Sequence, residues 1–163
     1  MSAYDLARWS DFFVAETGAA AALTGLVIVA VSINIGTVLK FPHLPGRAAE
    51  SISLLAGIVI LSTLAMVPDQ PAQAAGAEIA AVGAVMWAMT SATQWRIFWR
   101  GYVYPRRWIS IAIGQGASLP VVVAGISLMA GAGGGLYWIV PGIVFSVVGG
   151  IVNTWVLLIE ILR

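Results

Sequence analysis

Five long apolar runs, separated by short segments that hold most of the charged residues, constrain this chain more than any other feature. A helix that crosses the hydrocarbon core of a bilayer needs about 20 predominantly apolar residues. Of the 163 residues, 60% are hydrophobic and only 9% are charged, whereas an average soluble domain has roughly 25% charged residues. We therefore predict an all-α, polytopic integral membrane bundle, with residues 1–163 forming a single transmembrane domain.

Proline, glycine and charged residues mark the boundaries of the predicted spans. The segment Lys40–Arg47 holds two prolines and a glycine, which predicts a loop. Comparable segments lie at 68–71, 101–105 and 131–135. The first run has no signal-peptide pattern before it, so we expect it to be retained as a span. The five predicted helices cover about 12–39, 48–67, 73–95, 108–130 and 137–162.

The basic residues predict the orientation of the bundle. Of the eight lysine and arginine residues, only Arg8 falls on the side of the N-terminus when the chain crosses five times. The positive-inside rule assigns the basic side to the cytoplasm. We therefore expect the N-terminus outside and the C-terminus in the cytoplasm. The basic side carries Lys40, Arg47, Arg96, Arg100, Arg106, Arg107 and Arg163.

Two predicted spans carry small residues along one face. Such a stripe lets two helix backbones approach closely, which favours helix packing in lipid. Because five spans offer few internal partners for both stripes, we also expect the protein to associate with itself. The alternative is that the stripes line a polar path through the bundle. The stripes contain Gly18, Gly25 and Gly36 on the first span and Gly142, Gly149 and Gly150 on the last.

Two acidic residues inside the predicted spans are candidate functional groups. Ionisable side chains within spanning helices are costly to bury and often mark ion paths. Glu16 and Glu78 enter from the outer side to a similar depth, and two carboxylates in one leaflet would bind a cation or share a proton. For Glu16, the alternatives are a solvated position at the membrane border and a structural hydrogen bond or ion pair.

The fourth predicted span contains the segment Gly114–Pro120. Proline lacks an N–H group and frees the carbonyl of Gly116, which predicts an interrupted helix with Gln115 and Ser118 on a solute path. An ordinary proline kink is the alternative. Asn153 in the last span either joins this path or bonds across a helix interface.

The remaining polar residues of the basic side are interpreted as border residues. Glu50 and Glu160 each lie three residues from an arginine, a spacing at which helical side chains interact.

The segment 95–108 mixes aromatic residues with arginine, which is typical of a membrane interface. Contact with lipid headgroups is expected there, with a docking surface for a cytoplasmic partner as the alternative. The headgroup-binding residues would be Arg96, Arg100, Arg106 and Arg107.

Several classes of function are excluded by composition. The chain has no cysteine and a single histidine, His43, so we expect neither a metal site nor an enzyme, and no cofactor. His43 is interpreted as a solvated loop residue, with a pH sensor or a pigment ligand as the alternatives. A net charge of +1 argues against nucleic acid as a partner.

The first 70 residues carry a resemblance to a known family. Residues 9–26, WSDFFVAETGAAAALTGL, together with Ser32–Asn34 and the LPGRA sequence at 44–48, resemble the opening of a family of small, uncharacterised bacterial polytopic membrane proteins. The resemblance implies a multi-pass protein of the bacterial inner membrane. It implies no activity, cofactor or site residue.

The sequence supports two classes of function. A homo-oligomeric channel or carrier for an ion or small solute would use Glu16, Glu78, Gln115, Ser118 and Asn153 as its path. A non-catalytic accessory subunit would instead bind other membrane proteins through its glycine stripes. In both cases the lipid bilayer is the surrounding partner.

Overall fold

The computed structural model describes residues 2–41, 44–99 and 107–161; the side chains of residues 2, 97, 98, 107 and 156–161 lie outside that description. All regular structure in these residues is helical. Three short 3-10 segments cover Ser2–Tyr4, Leu6–Trp9 and Gly135–Trp138. The α-helices are α1 (Ser10–Ile33), α2 (Ile35–Val38), α3 (Leu44–Ala65), α4 (Ala72–Trp99), α5 (Arg107–Ala130) and α6 (Ile139–Ile161).

Five helical stretches in these residues are long and apolar enough to cross a membrane. Each has at least 21 residues, and a helix of about 20 residues spans the hydrocarbon core. The prediction of an all-α fold with five helices of spanning length is therefore confirmed. The stretches are Leu6–Ile33, Leu44–Ala65, Ala72–Arg96, Trp108–Ala130 and Gly135–Trp155.

The first predicted span is not continuous, because the chain leaves the helix at Asn34. The φ and ψ angles of this residue are −107° and 15°, and its side-chain amide donates to the carbonyl of Ala30 at 2.9 Å. Asparagine side chains compete in this way with the hydrogen bonds of a helix. The break separates α1 from the short α2.

The second spanning helix begins four residues earlier than predicted, at Leu44 rather than residue 48. Pro45 and Gly46 were expected to belong to a loop, but they form the first turn of α3. Proline is tolerated there because the first N–H groups of a helix have no partner within the helix. Every later residue of α3 therefore lies about one turn further from the start of the helix than the sequence pattern predicted.

Helix α3 occupies the centre of the bundle, where it packs against α1, α4 and α6. Helix α5 packs between α4 and α6, whereas α1 packs mainly against α3. The starts of α3 and α5 meet the ends of α4 and α6 at one end of the bundle. We call this the basic end, because Arg47 and Arg96 lie there.

The main hydrophobic core fills the bundle from its middle to the opposite end. Its fully buried residues include Leu61, Ile79, Val121, Leu128 and Ile139. Helices α4 and α5 approach each other closely. A side chain at Gly125 would collide with the backbone of Ala80, and one at Gly83 would meet the amide nitrogen of Val122 at 2.8 Å.

The N-terminal segment closes the end opposite the basic end. The hydroxyl of Tyr4 accepts a hydrogen bond from the backbone N–H of Gly134 at 3.0 Å. The rings of Trp9 and Tyr137 pack edge to face with their centroids 5.1 Å apart. Gly135, with φ of 56°, lies directly against the carbonyl of Ala3, so this contact needs a residue without a side chain.

Candidate functional site: a buried carboxylate between four helices

Glu50 of α3 is the buried acidic residue of the basic end. Its side chain is only 4% exposed, and it lies six residues, or about 9 Å, from the start of α3. The sequence pattern did not predict this burial between helices, and the interpretation of Glu50 as a residue at the membrane border stays a prediction. Because α3 begins at Leu44, Glu50 belongs to the second turn, and its side chain points into the bundle.

Helix α4 supplies one hydrogen-bond donor to this carboxylate. The side-chain nitrogen Nε2 of Gln94 donates to Oε1 of Glu50 at 3.4 Å. The same nitrogen donates to the backbone carbonyl of Ser110 in the first turn of α5 at 3.3 Å. Gln94 thus joins the three helices α3, α4 and α5.

A second glutamine extends the network towards the outside of the bundle. Nε2 of Gln115 donates to Oε1 of Gln94 at 3.4 Å and to Oγ of Ser91 at 3.3 Å. The indole Nε1 of Trp87 donates to Oε1 of Gln115 at 2.8 Å. Trp87 lies on the outer face of α4 and is exposed, so the chain of hydrogen bonds runs from this face inward to Glu50.

Helix α6 supplies the donor on the other side of the carboxylate. Nδ2 of Asn153 donates to Oε2 of Glu50 at 3.4 Å, and the Asn153 side chain is 8% exposed. Both carboxylate oxygens therefore accept an amide N–H. The charge of Arg47, one turn earlier on α3, also acts on the Glu50 carboxyl.

Gly114 of α5 makes the space that this network occupies. A Cβ atom at this position would lie 2.5 Å from Nε2 of Gln94, 2.5 Å from Cγ2 of Thr90 and 3.3 Å from Oε1 of Glu50. Thr90 is 1% exposed, and its hydroxyl has no hydrogen-bond partner among the described residues. A buried hydroxyl without a partner is unfavourable, so Thr90 contributes an unused donor and acceptor to the interior of the bundle.

The direction of the network is fixed by Trp87. An indole N–H can only donate, whereas an amide group can present either its oxygen or its nitrogen. Because Oε1 of Gln115 accepts from Trp87, its nitrogen must face Gln94. Gln94 accepts with its oxygen and turns its own nitrogen towards Glu50. The amide donors consequently point at the carboxylate, an arrangement that stabilises its negative charge.

The structure brings two of the predicted path residues, Gln115 and Asn153, into one network through Gln94 and Glu50. Ser118 is buried, but its hydroxyl donates to the carbonyl of Gly114 in its own helix at 2.9 Å. The predicted interruption at Pro120 is wrong, because α5 is continuous through this residue.

Glu16 and Glu78 lie towards the other end of the bundle, each six residues into its helix. Both side chains are half-buried. Oε2 of Glu78 is buried without a hydrogen-bond partner. Neither residue belongs to the network around Glu50, and no group of three or more His, Cys, Asp or Glu residues within the described ranges could hold a metal ion.

The two glycine stripes have different surroundings. Among the described residues, nothing lies within 4 Å of a Cβ atom built at Gly18 or Gly25, so this face of α1 is open. The same holds for Gly36, which the break at Asn34 places on α2. The α6 stripe faces the interior of the chain. Gly142 lies against Val121, Gly149 against Ile113 and Leu54, and Gly150 against Leu55.

The predicted headgroup-binding residues are only partly described. Arg96 is exposed in the last turns of α4, where the rings of Trp95 and Trp99 lie 5.6 Å apart. Arg100, Arg106, His43 and Arg163 lie outside the described residues, as do the side chains of Arg107 and Glu160.

Sequence reasoning missed Glu50 as a site residue, along with Gln94, Ser91 and Trp87. A signal for the last three was present. Trp87 and Ser91 are four residues apart, and Ser91 and Gln94 are three apart, so all three lie on one face of a helix. A tryptophan, a serine and a glutamine on one face of a spanning helix predict polar contacts with a neighbouring helix. Glu50 had no such signal, because its burial depends on contacts with Gln94 of α4 and Asn153 of α6.

Comparison of the chain with family models, with curated proteins and with solved structures gives no match. The resemblance of its first 70 residues to bacterial polytopic proteins therefore stays a prediction. The geometry of the site carries the functional argument.

Proposed function

We propose that this multi-pass membrane protein is a carrier or channel for a small cation, with Glu50 as the group that binds it. The observation behind this proposal is a carboxylate with 4% exposure, hydrogen-bonded from two neighbouring helices inside a bundle of membrane-spanning length. Acidic residues inside spanning helices are costly and commonly mark ion paths or proton relays. A purely structural network would not require an ionisable member.

The packing of the bundle favours a carrier over an open pore through one copy. Glu50 belongs to the basic end, whereas Glu16 and Glu78 belong to the opposite end. Buried Leu61 and Ile79 belong to the packed core of the bundle. In this proposal Glu16 and Glu78 attract cations to the outer entrance, and a conformational change connects that entrance to Glu50.

We also propose that copies associate through the open face of α1 in a bacterial inner membrane. Only 11% of the apolar stretch containing α1 is buried within the chain, compared with 56% of that containing α3. Open glycines at positions 18, 25 and 36 would allow close approach of a second helix. The molar mass of the protein in mild detergent tests this point. Wild type should be larger than one copy, and Gly25→Leu should reduce it to one copy.

The experiment for transport is cation flux in proteoliposomes. We expect wild type to carry a cation down an imposed gradient and Glu50→Gln to abolish the flux. Asp69→Asn is the matched control, because it makes the same change from acid to amide in an exposed turn. Folded wild type that carries none of H⁺, Na⁺ and K⁺, or full flux in Glu50→Gln, would refute the proposal.

An accessory subunit is the second candidate, favoured by the same open face of α1. Helix α1 packs mainly against α3, which leaves its glycine face available for the helix of a different protein. Purification from native membranes in mild detergent separates the two candidates. A partner in constant ratio to this chain, lost in Gly25→Leu, together with the absence of flux, would favour the accessory subunit.

A further inference from the structure

We infer that the cation bound at Glu50 is a proton, an inference that rests on the proposed function and names its substrate. The argument begins with the direction of the hydrogen bonds around the carboxylate. Gln94 donates to Oε1 and Asn153 donates to Oε2. The groups next to both oxygens are therefore positive ends of N–H dipoles.

A metal cation would require the opposite arrangement. Ions such as Na⁺, K⁺ and Ca²⁺ bind to several oxygen atoms, from carboxylates, carbonyls and hydroxyls. If Gln94 turned its oxygen towards Glu50, it would lose the hydrogen bond that this oxygen accepts from Gln115. Gln115 cannot reverse in turn, because its own oxygen accepts from the indole of Trp87. A metal ion at the carboxylate would face the Gln94 N–H group at short range. A proton needs no further oxygen ligands, because it binds covalently to one oxygen atom, although the amide donors that stabilise the carboxylate also oppose its protonation.

The site also offers an acceptor for the O–H group that protonation creates. In the binding step, a hydronium ion from the basic end gives its proton to the Glu50 carboxylate, which yields a neutral carboxyl group and water. No electrons are transferred. Rotation of the Asn153 side-chain amide by 180° would present Oδ1 as the acceptor, since the hydrogen bond from Trp87 orients Gln115 and Gln94 but not Asn153.

Charged residues of the helices packed around this site lie mainly at the same end of the bundle. Arg47 lies one turn away on α3, and Arg96 is exposed on α4. Helix α5 begins at Arg107 and α6 contains Glu160; both side chains lie outside the described residues, and residues 108–130 and 139–155 contain no ionisable side chain. Asp11 and Glu16 of α1 belong to the opposite end of the bundle. Protonation of Glu50 therefore removes a negative charge that interacts with Arg47.

Infrared difference spectroscopy tests the inference without any transport. Spectra of the purified protein in lipid, recorded between low and high pH, should contain the carbonyl stretch of a protonated carboxyl group that is lost in Glu50→Gln. Asp69→Asn and Glu16→Gln should keep this band. Glu50→Asp should keep a band at a shifted frequency, which shows that the site still folds and still binds a proton.

The outcomes separate the inference from the proposed function. A Glu50 band without proton flux in liposomes would support proton binding and refute transport. Flux of Na⁺ or K⁺ that depends on Glu50, without a titrating band, would support transport and overturn the inference. A band unchanged in Glu50→Gln, with wild-type structure by circular dichroism, would also overturn it.

Discussion

Replacement of Gly114 by alanine is the sharpest test of the site geometry. The added methyl carbon would lie 2.5 Å from both Nε2 of Gln94 and Cγ2 of Thr90, closer than non-bonded carbon atoms approach. Overpacking of this kind costs about 1–3 kcal/mol. Displacement of Gln94 would also break its hydrogen bonds to Glu50 and to the Ser110 carbonyl, each worth about 0.5–1.5 kcal/mol.

The opposing gain is small, because alanine stabilises a helix interior by about 0.5–1 kcal/mol relative to glycine. We therefore expect Gly114→Ala to lower the free energy of unfolding by about 1–5 kcal/mol. The assay is unfolding in mixed lipid and detergent micelles titrated with a denaturing detergent, followed by circular dichroism. Gly46→Ala is the control, because its Cβ atom would lie 3.4 Å from Cγ2 of Thr93, an ordinary van der Waals contact. Equal stability of the two variants would refute the packing of α5 against Glu50 and Gln94.

Three further predictions concern other parts of the bundle. Trp87→Phe removes the donor to Gln115 and should lower the free energy of unfolding by about 0.5–1.5 kcal/mol in the same assay; no loss would contradict its anchoring role. Gly135→Ala should cost about 1–3 kcal/mol more than Gly131→Ala, because both glycines have positive φ but only Gly135 lies against Ala3; equal losses would contradict this contact. A reporter enzyme fused after Arg163 should be active only in the cytoplasm; activity outside would reverse the proposed orientation.

The sequence predicted the number and approximate limits of the spanning helices because these depend on composition and length. It did not predict the start of α3, because Pro45 and Gly46 are read as a loop from local preference, although the first turn of a helix tolerates both. That error of one turn placed Glu50 in the first turn of the helix rather than the second, and the burial of Glu50 depends on its contacts with α4 and α6. Local patterns do not contain the tertiary contacts that distinguish these positions.

The same limit applies to the glycines. The stripes on α1 and α6 look alike in sequence, yet Gly149 packs against α3 and α5 whereas Gly25 faces open space. The close contact between α4 and α5 uses Gly83 and Gly125, which the sequence analysis did not single out. Which face a helix buries depends on its neighbours, and α4 and α5 are paired along their length only in the folded bundle.

The most direct test of the central claim is the electrical current that the reconstituted protein produces on a solid-supported membrane after a step in pH. Wild type and Asp69→Asn should produce the same transient current. Glu50→Gln should produce none, since an amide cannot take up a proton. An undiminished current in Glu50→Gln, at equal amounts of folded protein, would contradict the assignment of Glu50 as the ion-binding group.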